Sequence, residues 1–302
     1  MSVSFCGLEL AHPVINGSGT FDVPAARRAF GQALDHAFPF AAFVSKTITL
    51  SPRAGNPPPR LWEAPAGLIN SIGLPNRGLE GYLEHDLPEL SKLNVPLITN
   101  VMGSTAEEIA ELAQACDERG EIAAVELNVS CPNVKTGLDI GSDPAQLERV
   151  VAAVRPALRK PLIVKLTPNC ADVAACAQAA QDGGADAVSL INTLRAMALT
   201  PGARGRRPSP PAAPSGPVAG LRAWLGGGSG GLSGAAVRAV ALAQVAAVAG
   251  RVAIPVVGMG GIQSADHARQ LLDVGATLVA VGTESFRDPA AGERIARGLR
   301  DS

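Results

Sequence analysis

The sequence predicts an α/β chain folded as a (β/α)8 barrel. Three observations carry this. Eight short apolar runs alternate with Ala-rich stretches of helical periodicity, the pattern of parallel strands joined by crossover helices. The 302 residues, 47% hydrophobic and 18% charged, suffice for one large core, so residues 1–302 are read as a single domain. Each apolar run ends in a polar side chain or a glycine, as barrel strands do on the face that carries the site. A doubly wound open sheet is the alternative.

The strands are expected at 13–16, 42–45, 96–100, 122–128, 162–166, 187–191, 255–258 and 278–281. The helices between them are expected at 24–36, 105–119, 144–158, 171–182, 234–249, 264–274 and 289–299. Several open on cap signals: Ser104-Thr105 with Glu107 and Glu108, Ser142-Asp143-Pro144, and Ser264 with Asp266. Two stretches break the rhythm. One spans 51–93. The other spans 203–231 and is rich in Pro, Gly, Ala and Arg, with 203–220 read as a flexible insertion whose Arg204, Arg206 and Arg207 are solvated. Trp62 and Trp224 are expected to anchor these excursions to the barrel.

Composition narrows the function. Only 3% of residues are aromatic, so Ala, Val, Leu and Ile fill the interior. A formal net charge of −1 gives no electrostatic reason to bind nucleic acid or an anionic membrane. No apolar run is long enough to span a bilayer, and the N-terminus lacks the pattern of a secretory signal. The five cysteines are odd in number and none are spaced Cys-x-x-Cys. That argues against a disulfide framework, a zinc site or an iron–sulfur cluster in this chain, and for a reducing cytoplasm.

The strand ends supply the chemistry. In order they carry Asn16-Gly17-Ser18-Gly19, Ser45-Lys46-Thr47, Asn100, Asn128 with Ser130, Cys131 and Asn133 beyond it, Lys165, Asn192-Thr193, Gly260-Gly261 and Gly282-Thr283. Lysines directly after apolar residues need partners. Glycines at the last two ends let backbone N–H groups approach a phosphate, and Gly230-Gly231-Leu232-Ser233-Gly234 is expected to join that cradle. The histidines, His12, His36, His85 and His267, fall outside the strand ends, with His267 read as a surface residue. No metal-ligand cluster, nucleophile elbow or P-loop is present. Lysines, amides, hydroxyls and one thiol suit a bound cofactor that the protein positions and polarises.

Several segments resemble the class 1 dihydroorotate dehydrogenases. They are Glu126-Leu-Asn-Val-Ser-Cys-Pro-Asn-Val-Lys135, Lys46-Thr-Ile-Thr-Leu, Gly55-Asn-Pro-Pro-Pro-Arg60, Asn70-Ser-Ile-Gly-Leu-Pro-Asn76, Val164-Lys-Leu-Thr-Pro-Asn169 and Gly230-Gly-Leu-Ser-Gly234. The resemblance covers nearly the whole chain. It implies an FMN-containing (β/α)8 barrel that oxidises dihydroorotate to orotate in pyrimidine biosynthesis. It implies FMN contacts at Ser18, Lys46, Thr47, Asn100, Asn128, Lys165, Ile191, Gly234, Gly260, Gly261, Gly282 and Thr283. It implies substrate contacts at Lys46, Asn70, Ile72, Gly73, Leu74, Asn128, Asn133, Asn192 and Thr193, and Cys131 as the base that takes the C5 proton.

Asn128-Val-Ser-Cys-Pro-Asn-Val-Lys135 and Gly231-Leu-Ser-Gly234 are most similar to subclass 1B. Its catalytic subunit forms a homodimer core, in a heterotetramer with a partner subunit that carries FAD and a [2Fe-2S] cluster and passes electrons to NAD+. The alternatives are a fumarate-reducing subclass 1A enzyme, which Asn70–Asn76 partly resembles, a dihydropyrimidine dehydrogenase-like domain, and a non-catalytic phosphate-binding barrel.

Overall fold

The computed structural model describes residues 2–31, 33–129, 140–200 and 222–301. The expected insertion at 203–220 and the loop bearing Cys131 and Asn133 lie outside them, apart from Gly141 and its neighbours, where that loop rejoins the barrel. The chain opens with an antiparallel hairpin that periodicity did not reveal, β1 (Val3–Phe5) and β2 (Leu8–Leu10). Its turn is Cys6-Gly7, both at positive φ (49° and 80°). Eight parallel strands then build the barrel: β3 (Val14–Asn16), β4 (Phe43–Val44), β7 (Leu97–Val101), β8 (Ile122–Asn128), β9 (Leu162–Lys165), β10 (Ala187–Leu190), β13 (Val256–Met259) and β14 (Leu278–Val281). Each overlaps an expected strand. The other four, β5 (Leu61–Ala64), β6 (Gly67–Asn70), β11 (Leu194–Ala196) and β12 (Gly230–Ser233), form a separate antiparallel sheet.

The barrel sheet runs β3-β14-β13-β10-β9-β8-β7-β4. Its ends meet, which excludes the open doubly wound arrangement. The seam between β3 and β4 is closed largely by one side chain. Asn16 Nδ2 donates to Val44 O at 2.9 Å, and Val44 N donates to Asn16 Oδ1 at 2.8 Å. Ala41 N adds a bond to Val14 O at 3.0 Å. The amide thus imitates a ladder pair across two short strands. Asn16→Ala is expected to leave a buried N–H and C=O unpaired and to lower unfolding free energy by about 2–4 kcal/mol, read from urea denaturation. An unchanged midpoint would show that the seam closes without it.

Period-2 alternation sorts the strand residues into two cores. Val14, Phe43, Leu97, Val125, Leu127, Leu162, Val164, Val188 and Val279 face outward, against the helices. Ile15, Val44, Ile98, Ala124, Ile163, Ala187, Val257 and Ala280 face inward, where Phe5 and Leu10 of the hairpin plug the bottom of the cylinder. The next inward positions along β7, β8, β9 and β10 are Asn100, Glu126, Lys165 and Ser189, all buried, with Asn100 and Glu126 in register one step below Lys165 and Ser189. An apolar lower layer beneath a polar upper one is what puts a site at the top.

The outer helices are α1 (Val23–Phe30), α2 (Ala33–His36), α3 (Gly78–Gly81), α4 (Leu87–Leu90), α5 (Ala106–Asp117), α6 (Pro144–Val154), α7 (Val173–Asp182), α8 (Arg238–Ala249), α9 (Ala265–Asp273) and α10 (Ala291–Arg300). Side chains of Thr105, Asp143 and Ser264 accept the capping N–H bonds that their sequence signals predicted. The single helix expected at 24–36 is instead two, split at Gly31 with φ of 64°. No helix among the described residues is long and apolar enough to cross a membrane.

Candidate active site

The two irregular excursions meet over the barrel mouth. The sheet order β11-β12-β6-β5 sets the two strands that flank the second excursion beside the two strands of the first, pairing Gly231 with Asn70 and Leu232 with Ile69. Ile69, Ala198 and Leu225 make its small core, with Trp62, Ala64, Ala196 and Leu232 packed against them. Trp62 and Trp224 anchor the two excursions to each other, ring centroids 5.3 Å apart and edge to face.

This pairing corrects the reading of Gly230 and Gly231 as part of a phosphate cradle. They are strand residues, and glycine is required there by close packing. A Cβ on Gly230 would stand 2.3 Å from Asn70 O, and one on Gly231 1.9 Å from Thr193 Oγ1. From the same run, Leu232, Ser233 and Gly234 line the cavity below.

The Gly55–Arg60 motif is a clasp. Asn56 Nδ2 donates to Ser71 Oγ at 3.0 Å, Asn56 N to Ile72 O at 3.0 Å, and Ser71 N to Arg60 O at 2.8 Å. These bonds hold the Ser71–Leu74 turn against the mouth. Gly73 sits at φ of 74°, and a Cβ there would meet Asn56 N at 2.5 Å.

Between lid sheet and barrel lies a cavity of about 570 Å3, within the range of small-molecule and cofactor sites. It is lined by Ser18, Lys46, Thr47, Asn128, Lys165 and Ile191 from the barrel, and by Gly234, Gly260, Gly261, Gly282 and Thr283 around its far end. The lid side contributes Asn70, Ile72, Gly73 and Leu74, with Asn192 and Thr193 at the β10 end. The expected residues therefore converge, with one exception among those described. Asn100 is fully buried one layer down and does not line the cavity. Its Nδ2 donates to Glu126 Oε1 at 2.5 Å, while its Oδ1 has no partner among the described residues.

Hydrogen bonds fix the walls. Ser18 Oγ donates to Ser45 O at 2.7 Å, tying the first strand end to the second. Ser45 Oγ accepts from Asn100 N at 3.0 Å. Buried Tyr82, from the turn between α3 and α4, shares a 2.8 Å bond with Thr99 Oγ1 and braces the excursion against β7. Asn70 Nδ2 donates to Gly231 O at 3.2 Å, and Thr283 Oγ1 to Ser233 Oγ at 2.9 Å, so lid and barrel are joined at both ends. Lys46 is exposed to the cavity. Protein still crowds its ammonium enough that desolvation lowers its pKa, aided by Arg60 and opposed by Asp22 and Asp86.

The far end fits a phosphate. Among the described residues, the N–H groups of Gly260, Gly261, Gly282 and Thr283 donate to no backbone acceptor. Thr283 opens a short helical turn, 283–286. Gly260 and Gly261 have φ of 134° and 72°, conformations that let successive N–H groups converge on an anion. His267 is half-buried rather than a surface residue. Its Nδ1 accepts from Gln263 N at 3.3 Å, its Nε2 contacts Arg238 Nη1, and burial lowers its pKa. It braces the cradle from behind.

Glu126 went unassigned at the sequence level. Its carboxylate is buried under the cavity, 3.8 Å from Lys165 Nζ. The signal was present: an acid inside an apolar strand has to be answered by a positive charge.

A closed (β/α)8 barrel with backbone N–H groups left unpaired among the described residues after its last two strands, two lysines and a lid of amides fits the class of barrel enzymes that bind a phosphate-bearing cofactor. The sequence model of the dihydroorotate dehydrogenase family matches residues 1–302. A protein of Pelobacter propionicus, the catalytic subunit of dihydroorotate dehydrogenase B (NAD(+)), is 46% identical over 300 residues, covering 99% of this chain and 92% of its own length. The protein of the same name from Trichlorobacter lovleyi is 45% identical over equal coverage. The chain belongs to the dihydroorotate dehydrogenase family.

Proposed function

We propose that this protein, as one FMN-binding domain over residues 1–302, oxidises (S)-dihydroorotate to orotate in pyrimidine (UMP) biosynthesis, with one FMN per chain. The observation that carries the reading is the meeting, in one cavity, of an N–H cradle, two lysines and a wall of asparagines. The names of the relatives supply the substrate and the acceptor.

When bound, FMN supplies the acceptor for the hydride that leaves substrate C6. Gly234, Gly260, Gly261, Gly282 and Thr283 hold its phosphate. Ser18, Thr47, Asn128, Ile191 and Lys165 line the rest of the flavin subsite, with Asn100 beneath it as support. Lys46 and Lys165 bring positive charge to the reduced ring. Asn70, Asn128 and Asn192, with Asn133 from the loop outside the described residues, match the alternating donors and acceptors of the substrate ring without adding charge. Ile72, Gly73, Leu74 and Thr193 complete that wall. The thiolate of Cys131 takes the C5 proton.

Electrons leave to NAD+ through a partner subunit that carries FAD and a [2Fe-2S] cluster. Two copies of this chain form the core of a cytoplasmic heterotetramer. The relatives are named catalytic subunits, which supports a second, electron-transferring one.

FMN added to the apoprotein is expected to bind in a 1:1 ratio and to bleach anaerobically on addition of dihydroorotate. Reoxidation by NAD+ is expected only with the partner present, and fumarate is expected to fail in either case. No FMN uptake, or no bleaching, would overturn the reading.

A further inference from the structure

Lys165 and Glu126 meet in an unusual way. Both are nearly buried, with side chains 7% and 5% exposed. Yet Nζ and Oε1 are 3.8 Å apart, beyond hydrogen-bond length. The carboxylate is instead held by other strands. Asn100 Nδ2 of β7 donates to Oε1, and Ser189 Oγ of β10 donates to Oε2 at 2.8 Å. Its position is therefore set by the barrel and not by the lysine. Lys165 Nζ makes no hydrogen bond among the described residues, and the residue lines the cavity while Glu126 does not.

The register explains the geometry. Lys165 pairs with Asn128, which lines the cavity, and Glu126 pairs with Ile163, which belongs to the apolar layer below. Glu126 thus sits one layer under the ammonium. A carboxylate in direct contact would occupy lysine donors. One fixed just out of range offsets the charge and leaves the donors to whatever fills the cavity. It also attenuates the positive field that the lysine casts there.

The geometry points to Glu126 as a positioning residue that sets, through Lys165, the reduction potential of the bound flavin. This rests on the FMN reading above. With its counter-charge removed, Lys165 favours the anionic reduced ring more strongly. With Lys165 removed, Glu126 has nothing through which to act.

The test is the midpoint potential of FMN bound to the full-length chain, measured by spectroelectrochemistry, with FMN affinity measured alongside. Glu126→Gln is expected to raise the potential by at least a tenfold change in the oxidised-to-reduced ratio, about 30 mV for a two-electron couple. Glu126→Asp, which keeps the charge but withdraws it by one methylene, is expected to give a smaller rise. It also serves if the glutamine variant does not fold. Lys165→Met is expected to lower the potential, and adding Glu126→Gln to it should then move the potential by less than a third of its effect in the wild-type background.

Unchanged potentials in Glu126→Gln and Glu126→Asp would reduce Glu126 to a structural role and overturn the inference. So would an undiminished shift in the Lys165→Met background, which would mean a direct field. A wild-type chain that takes up no FMN would instead overturn the functional reading, and this inference with it.

Discussion

Cys131→Ala is expected to leave FMN bound and to slow its reduction by dihydroorotate about 10²–10⁴-fold, the usual worth of a positioned general base. Strand β8 brings Asn128 to the cavity wall and buries Val129, and Cys131 follows two residues later in the chain. The chain returns at Ile140 and Gly141, and a Cβ on Gly141 would stand 2.6 Å from Val129 O. Both feet of the intervening loop are therefore clamped together beside Asn128. The other four cysteines do not line the cavity, and Cys116 and Cys176 are buried in the outer core. Burial pushes the thiols of Cys6 and Cys116 up to about 11 and about 12, which makes both poor bases near neutral pH.

The measurement is anaerobic stopped-flow at the flavin band. The wild-type rate should climb with pH, because only the thiolate can take the proton. The alanine variant should be slow and flat. Equal rates in the two proteins would remove Cys131 from the proton step.

The barrel was legible because its signals are local. Each strand is a short apolar run, each end changes character within one or two residues, and caps such as Thr105, Asp143 and Ser264 mark helix starts on their own. The lid was not legible, because its two halves join across some 160 positions, Asn70 with Gly231, with no periodicity to announce it. Gly230-Gly231 also carries a residue type depleted in strands, so turn chemistry was the natural reading. Asn100 and Asn128 look alike as strand-end amides, yet one is floor and the other wall. Strand length and barrel stagger decide that, and neither is written in the residue itself. Glu126 could have been found by asking which charge in an apolar run needed an answer.

The phosphate cradle offers the second large effect, and a contrast that separates ligand from fold. Gly261 has φ of 72°, and a Cβ there would meet Arg238 Cβ at 2.7 Å and Gly234 O at 3.0 Å. In Gly261→Val a β-branched residue meets a left-handed conformation that costs an L-residue about 1–2 kcal/mol. The turn must then shift and its N–H groups disperse. FMN affinity is expected to fall about a hundredfold, close to 2.7 kcal/mol.

Gly282 differs. Its φ is −110°, and a Cβ would meet only Thr20 Cγ2 at 3.6 Å, an ordinary contact. Gly282→Ala adds no packing clash with the protein and should weaken FMN, because the added methyl competes with the ligand for the same space. Riboflavin, which lacks the phosphate, serves as the internal control, and its affinity should change far less than that of FMN in the Gly261 variant. Titration by flavin fluorescence reads all three. Equal losses for FMN and riboflavin in Gly261→Val would place the phosphate elsewhere, and a Gly282→Ala protein with wild-type FMN affinity would mean that the flavin does not reach that wall.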